Sequence, residues 1–388
     1  MQSFYDRNHT DFHQFVETTL KSNAYVCPRL LSWVPQLNLV GSRLTSWLMP
    51  AARTGRTGGQ KPRSAAAATG TGTATGQQQQ ETLSFVHESF LLEDGGTVCT
   101  FTYSPPEDNK TGESPILFFL PTFNTNAFAF QPFITCLVQL LHWTVIVFHR
   151  RAIHCPVTSP LHYWAGNDAD LHVVIQHLEK KLRRQQDNKS RPPPPVFALG
   201  QSAGGCLLLR YLGKYQPTLF CGAAVISSAW HSDMFRQMPR LLAQFILNGV
   251  KNRASKYYHS NKTELSEHQQ RIYKEMFAAS TPESFVMKES LLYECDEKRF
   301  LSEWSVENYL DKIVIPTMLI NAQDNPICSN PQGFTKLLAN NRNLLLVVTD
   351  RGSHCGFVHS MKPYERLNWA ERISLLFFQS LRSSCSLV

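Results

Sequence analysis

The sequence predicts a protein of the α/β class, with a mostly parallel central sheet flanked by helices. Short, continuously apolar segments recur along the chain, and strands buried on both faces of a parallel sheet have this composition. Stretches of helix length, with apolar residues at helical spacing, separate these segments. Of the 388 residues, 43% are hydrophobic and 18% are charged, which supports a large packed core and argues against wholesale disorder.

The predicted elements follow one another along the chain. Residues 84–103 predict two strands joined by an Asp-Gly-Gly turn. A helix over 168–184 begins with Asp168 and Asp170, which we interpret as capping residues, and ends with basic residues. A second helix covers 206–215. The predicted buried strands are 115–120, 144–148, 196–200, 222–227, 316–321 and 343–349.

One apolar stretch has two interpretations. Residues 114–149 contain no Asp, Glu, Lys or Arg, and a stretch of this length could span a bilayer. A buried strand, a loop, a helix and a second buried strand would have the same composition. We favour the second interpretation because prolines and side-chain amides interrupt the stretch. These residues are Pro121, Asn124, Asn126, Gln131, Pro132 and Gln139.

The chain divides into an N-terminal extension, residues 1–81, and a main domain, residues 82–388. Residues 64–80 are of low complexity and predict a flexible linker. Upstream of them, residues 10–50 have helix-like apolar spacing, which suits docking on the main domain or contact with a membrane surface. An insertion at about 231–312 predicts a helical cap.

The cap contains a stripe of apolar residues at helical spacing. Such a stripe either packs into the core or lines a pocket for an acyl chain, and the second role would favour medium or long acyl chains over acetate. The residues of the stripe are Met234, Phe235, Met238, Leu241, Leu242, Phe245 and Ile246.

Composition limits the partners and the compartment. The net charge is +8, but residues 51–63 alone carry four basic residues and no acid, so much of the excess positive charge lies in this one segment. No nucleic-acid recognition motif is present, and we therefore expect no nucleic-acid partner. This basic segment suits peripheral contact with an anionic membrane.

The ten cysteines form no CxxC pair and indicate a reducing compartment. We also expect no secretory signal. The expected location is cytoplasmic or peripherally membrane-associated.

A Gly-x-Ser-x-Gly motif stands between a predicted strand and a predicted helix, with Ser202 between Gly200 and Gly204. Such a turn forces the serine into a strained backbone conformation and holds its side chain above the carboxyl edge of the sheet. Small residues on either side relieve the crowding. A serine hydroxyl becomes a nucleophile only when a neighbouring imidazole takes its proton. Without such a partner the motif is an ordinary tight turn.

Two later residues supply the expected partners in the order serine, acid, histidine. Asp324 and His354 each follow a late predicted strand. Either residue alone is explained equally well as a turn or surface residue, but the three together in this order predict a catalytic triad of Ser202, Asp324 and His354. The oxyanion formed during acyl transfer needs two backbone N–H donors, which we assign to Phe123 and Ala203.

Other candidates have weaker support. Asp350 precedes His354 by only four residues, which leaves little chain to orient the imidazole ring. His149 and His154 have no ligand partners nearby in the sequence, and the HExxH motif is absent. We therefore expect neither a metal nor an organic cofactor.

These residues resemble a lipase/esterase family of the α/β-hydrolase superfamily. The family contains medium-chain esterases, yeast ethyl ester synthases, and animal membrane-anchored phospholipases and acylglycerol lipases. The likeness covers roughly residues 82–388 and includes the motifs "LEDGGTVCTFTY", "LGQSAGGCLLLRYLGKY", "IVIPTMLINAQDNPI" and "RGSHCGF". It implies an α/β-hydrolase fold with a helical cap insertion, and it assigns the family's nucleophile, acid and base to Ser202, Asp324 and His354.

The chain departs from the family pattern at three places. Pro121 and Thr122 stand where the family usually has His-Gly, and Asn325 stands where it has a second Asp after the acid. The usual Asn-x-Arg-Gly is replaced by "FHRRAI".

The expected function is a serine carboxylic-ester hydrolase that acts on a medium- or long-chain acyl ester, with a small-molecule lipid or ester as its substrate. An alcohol O-acyltransferase, which passes the same acyl group to an alcohol, is one alternative. A non-catalytic binding protein on a hydrolase scaffold is the other.

Overall fold

A computed structural model describes residues 2–4, 14–24, 83–106, 114–163, 166–187, 193–228, 238–328, 341–358 and 366–385. The linker at 64–80, the basic segment at 51–63 and the apolar segment at 28–50 lie outside the described residues. So do Met234 and Phe235. Membrane contact through these segments stays a prediction.

The described chain forms one nine-stranded sheet in the order β1-β9-β8-β7-β6-β4-β5-β3-β2. Strands β4 to β9 pair with one another in parallel, whereas β1, β2 and β3 pair antiparallel. The strands are β1 Gln2–Phe4, β2 Val86–Leu91, β3 Thr97–Tyr103, β4 Ile116–Leu120, β5 Thr144–His149, β6 Val196–Gln201, β7 Gly222–Ile226, β8 Thr317–Ala322 and β9 Leu344–Thr349.

Helices cover the sheet and form the insertion between β7 and β8. The α-helices are α1 Gln131–Thr135, α2 Asp168–Asp187, α3 Ala203–Tyr215, α4 Arg240–Asn261, α5 Glu267–Ala278, α6 Pro282–Ser290, α7 Glu297–Trp304 and α8 Trp369–Cys385. Helices α4 to α7 belong to the predicted cap, which is therefore helical where the structure describes it.

The predicted α/β class is confirmed. Each predicted buried strand is present, with bounds that shift by at most one residue, and the predicted hairpin forms β2 and β3. Strand β1 was not predicted, because three residues are too short to show a periodic pattern. Among the described residues, no helix has the length and apolar character needed to cross a membrane. Residues 114–149 instead form β4, short helical turns and β5, as expected.

The continuous apolar runs follow from burial on both faces of the sheet. In β4, Ile116, Phe118 and Leu120 pack into a cluster on one face. Leu117 and Phe119 pack into a second cluster on the other face. Every residue of the strand is therefore apolar, because neither face is exposed to water.

Part of the N-terminal extension packs on the main domain. A π-helical turn spans Phe15–Leu20, and the ring of Phe15 lies edge-to-face on Phe377 of α8, with centroids 5.3 Å apart. The indole of Trp369 donates a hydrogen bond to the carbonyl of Asn23, 2.6 Å away. Docking on the main domain was one of the two expected roles of residues 10–50, and residues 14–24 of that segment do dock there.

A buried histidine generates a prediction about acid stability. His149 ends β5, and its Nε2 accepts a hydrogen bond from the backbone N–H of Ala127, 3.0 Å away. Burial, assisted by His154 and His87, lowers the pKa of His149 from 6.5 to about 3. The unfolded chain therefore takes up a proton near pH 6.5 that the folded chain does not, and stability falls as the pH drops below that value.

We expect the free energy of unfolding to fall between pH 7 and pH 5, by up to about 1.4 kcal/mol per pH unit from this histidine below pH 6.5. A His149→Gln variant keeps an acceptor for the Ala127 amide and should show a shallower dependence in urea unfolding. The exposed His268→Gln serves as the control. Equal slopes for the wild type and His149→Gln would show that His149 titrates normally in the folded protein.

Candidate active site

Ser202 occupies the turn between β6 and α3. Its backbone has φ 51° and ψ −120°, a conformation that L-residues rarely adopt. The Ser202 amide donates to the carbonyl of Ile226 at the end of β7, at 2.8 Å. The predicted strained turn is therefore present, and it holds the serine at the carboxyl edge of the sheet.

Glycines make this turn possible because no side chain fits between the elements. A Cβ atom on Gly200 would lie 2.6 Å from the Cα of Gly205. A Cβ atom on Gly204 would lie 2.2 Å from the carbonyl oxygen of Leu120, at the end of β4. Helix α3 thus begins in direct backbone contact with β6 and β4, which fixes the position of Ser202.

His354 lies in the loop after β9 and reaches the serine. Its Nε2 is 2.7 Å from Ser202 Oγ, and its Nδ1 is 3.1 Å from Asn325 Oδ1. The same Asn325 atom accepts the backbone N–H groups of Ile327 at 3.0 Å and Cys328 at 3.2 Å, which identifies it as the amide oxygen. Nδ1 must therefore carry the proton, and Nε2 is left as an acceptor for the serine hydroxyl. This is the tautomer that a general base at Ser202 needs.

Asp324 belongs to the loop after β8 and contacts the loop that carries the histidine. Its Oδ1 accepts the backbone N–H of Ser353 at 2.7 Å, whereas its Oδ2 is buried and has no hydrogen-bond partner within the described structure. Burial raises the pKa of this carboxyl, and the Ser353 amide and Arg351 act in the opposite direction.

The three predicted residues are thus brought to one site, with Asn325 on the ring nitrogen where the resemblance led us to expect an acid. The catalytic role of Asp324 stays a prediction. The competing acid Asp350 is exposed. Sequence reasoning identified Asn325 only as a departure from a family pattern. The sequence signal that could have predicted its contact with His354 is its position directly after the predicted acid, in the same short loop.

The loop after β4, which contains Phe123, is held from two sides. The guanidinium of Arg150 donates through Nη2 to the carbonyls of Pro121, at 3.1 Å, and Thr122, at 2.7 Å. The guanidinium of Arg253, on α4, lies over the Phe123 ring at 5.2 Å.

The second predicted oxyanion donor is Ala203, the first residue of α3. Its N–H therefore has no acceptor within that helix. The assignment of the Phe123 and Ala203 amides as oxyanion donors stays a prediction.

The segment "FHRRAI" has a structural role that sequence reasoning missed. Arg151 is buried and pairs with Asp94 and with Asp170, the latter at 2.6 Å. Asp168 pairs with Arg210 at 3.0 Å. The interpretation of the two helix-start aspartates as caps alone was wrong, because each carboxylate neutralises an arginine that is removed from water.

Part of the predicted apolar stripe of the cap packs into the core, and part of it is exposed. Met238 is buried, and Leu242 and Ile246 pack on the core. Leu241 is 87% exposed and Phe245 is 48% exposed.

Helix α4, which carries Leu241, Leu242, Phe245 and Ile246 of the stripe, contacts the loop after β4. A Cβ atom on Gly249 would lie 3.5 Å from Asn124 Nδ2. The exposed residues Leu241 and Phe245 therefore lie on a helix that contacts this loop.

Known proteins resemble the chain over most of the main domain. Human phospholipase ABHD3 is 25% identical over 321 residues, which cover 77% of this chain and 73% of the human protein. The bovine phospholipase ABHD3 is 26% identical over 63% of this chain and 58% of its own length. The medium-chain fatty acid ethyl ester synthase/esterase 2 of Saccharomyces cerevisiae is 23% identical over 53% of this chain and 49% of its own length.

The chain is a member of the α/β-hydrolase superfamily. No protein-family model matches it. The chain spans about three fifths to three quarters of the length of the ABHD3 relatives it matches. Esterase Pf2001 of Pyrococcus furiosus superposes with a TM-score of 0.46 at 19% identity, covering 80% of this chain and 96% of the archaeal one. Superfamily membership agrees with the sheet order and with the serine turn, which are seen directly.

The two side chains near His354 generate a prediction. We expect Asp324→Asn to lower kcat/KM for a soluble ester by about 10³–10⁴-fold, because the imidazolium that forms when His354 Nε2 takes the serine proton loses the carboxylate that we assign to stabilise it. Asn325→Ala removes a neutral hydrogen bond and should cost about 10-fold. Asp350→Asn serves as the matched control and should leave kcat/KM nearly unchanged.

Circular dichroism and thermal unfolding would verify that each variant folds. If Asn325→Ala is as damaging as Asp324→Asn, the amide alone orients the ring and the assignment of the acid is wrong. Equal losses for Asp350→Asn and Asp324→Asn would move the acid to position 350.

Proposed function

We propose that the chain is a serine carboxylic-ester hydrolase that uses Ser202 as nucleophile and His354 as general base. One observation carries the proposal: Ser202 Oγ lies 2.7 Å from His354 Nε2, on a serine whose φ is 51°. A hydrogen bond to an imidazole acceptor is what a serine hydroxyl needs in order to attack a carbonyl.

The reaction proceeds in two steps. Ser202 Oγ attacks the ester carbonyl while His354 Nε2 takes the hydroxyl proton, and the same proton is then given to the departing alcohol. Water attacks the acyl-serine in the second step, with His354 again acting as the base. Asp324 supplies the negative charge that stabilises the imidazolium. The N–H groups of Phe123 and Ala203 stabilise the oxyanion.

The relatives support a lipid or related ester as the substrate. Two of them are named phospholipase ABHD3, and the yeast relative is named a medium-chain fatty acid ethyl ester synthase/esterase. We propose substrates with a medium or long acyl chain, because the exposed apolar residues Leu241 and Phe245 lie on α4, the helix whose Arg253 contacts the Phe123 ring. An acyl chain that contacts them would be removed from water, which stabilises binding by about 0.8 kcal/mol for each buried methylene.

The serine assignment is tested with a fluorophosphonate probe, which modifies an activated serine. We expect the full-length protein to be labelled, Ser202→Ala to show no labelling, and His354→Ala to be labelled at least about 10³-fold more slowly. Gel fluorescence and peptide mass spectrometry measure the rate and the site.

Ser228→Ala is the control, since Ser228 is buried and its hydroxyl has no partner in the described structure. A folded wild type that resists the probe would favour the non-catalytic binding protein. Ester formation that exceeds hydrolysis when ethanol is added would favour the acyltransferase.

The acyl-chain preference is tested by replacing both exposed residues of the stripe. The double variant Leu241→Ser, Phe245→Ser should lower the ratio of kcat/KM for a decanoyl ester to that for a butyryl ester by about 10-fold, through lost apolar contact. Val314→Ser is the control. Val314 is 53% exposed and lies just before the amino end of β8, whereas Ser202 lies at the carboxyl ends of the strands. An unchanged ratio in the double variant would place the acyl chain elsewhere.

A further inference from the structure

A second group of reactive side chains lies at the β2 edge of the sheet, away from Ser202. It comprises His87 on β2, Cys99 on β3, and Cys155 in the loop after β5. Strands β4 and β5 lie between β3 and β6, the strand that leads to the serine. The group therefore belongs neither to the candidate active site nor to its loops.

The sheet register brings the first two side chains together. His87 pairs with Phe101, and Ser89 pairs with Cys99, across the antiparallel β2–β3 hairpin. Opposed residues of a hairpin point to the same face, and so do residues two apart in one strand. His87 and Cys99 thus share one face, and the loop after β5 lies over it, with the Ile153 carbonyl 3.8 Å from Cys99 Sγ.

The ligand atoms converge. One ring nitrogen of His87 and the sulfurs of Cys99 and Cys155 all lie within 4.8 Å of one another. Zinc bonds of about 2.3 Å to sulfur and about 2.0 Å to nitrogen place tetrahedral ligand atoms about 3.5–3.8 Å apart. A contraction of about 1.3 Å or less would therefore bring the three atoms to coordinating distance.

We propose that His87, Cys99 and Cys155 form a Zn²⁺ site. Two thiolates and an imidazole are a soft ligand set that selects zinc over Mg²⁺ or Ca²⁺. Three protein ligands leave a fourth position for water, and His87 is exposed on the edge strand, which gives an ion a route from solvent. The hydroxyl of Ser89 lies 3.2 Å from His87 Nε2 and can bond to the ring as an outer partner.

A bound ion would connect two segments that are distant in sequence. The loop that carries Cys155 begins with Arg150, which holds the carbonyls of the Phe123 loop, and Arg151, which pairs with Asp94. Binding would therefore fix the β2–β3 hairpin to the segment that supports the candidate active site. Because the site is assembled only in the folded chain, zinc should stabilise that chain.

The site is tested on the full-length protein, reduced and freed of metal. Co²⁺, a spectroscopic substitute for Zn²⁺, should bind with thiolate-to-metal charge-transfer absorption, and Zn²⁺ should displace it at one ion per chain. His87→Gln should weaken Zn²⁺ binding by more than about 10-fold. The exposed His268→Gln should bind as the wild type does. Zn²⁺ should also raise the unfolding temperature of the wild type more than that of His87→Gln.

A second measurement does not depend on any variant folding. Zn²⁺ should slow the alkylation of Cys99 and Cys155 by N-ethylmaleimide in the wild type, with Cys221 as the internal control, as followed by peptide mass spectrometry. Absence of the charge-transfer band, or equal alkylation with and without Zn²⁺, would overturn the proposal. A reduced protein that takes up no Co²⁺ and forms a Cys99–Cys155 disulfide in air would identify a redox pair instead.

Discussion

Backbone contact between the β6–α3 turn and the end of β4 determines the position of the candidate site. Gly204 lies so close to the Leu120 carbonyl that no side chain fits between them, and Gly200 has the same relation to Gly205. The helix can begin there only if Ser202 adopts its strained conformation. The strain is maintained because packing on both sides of the turn leaves the backbone no alternative.

The parallel sheet explains why residues from distant parts of the sequence meet at this turn. The loops after β4, β8 and β9 all leave the carboxyl edge of the sheet, and they carry Phe123, Asp324 and His354 to the same side. Buried arginines then fix the surroundings, as Arg150 does for the loop after β4. Each arginine loses its hydration on burial, and hydrogen bonds to carbonyls or carboxylates compensate for that loss.

The features predicted from the sequence were those with a local signal. The buried strands appear as continuous apolar runs, and Ser202 is marked by its flanking glycines. The positions of Asp324 and His354 after late predicted strands were enough to predict that they lie near Ser202. Contacts that depend on the register of distant segments were not predicted. One example is the hydrogen bond between His354 Nδ1 and Asn325 Oδ1. Another is the close approach of the side chains of His87, Cys99 and Cys155. The pairing of Arg151 with Asp170 was missed because a capping role already explained the aspartate.

The most direct test of the central claim is intact-protein and peptide mass spectrometry on enzyme that is quenched in acid during turnover of a p-nitrophenyl decanoate ester. The proposed mechanism predicts a decanoyl group on Ser202, present at early times in the wild type and absent in Ser202→Ala. Turnover with the acyl group on another residue, or with no acyl-enzyme while Ser202→Ala retains activity, would contradict the mechanism.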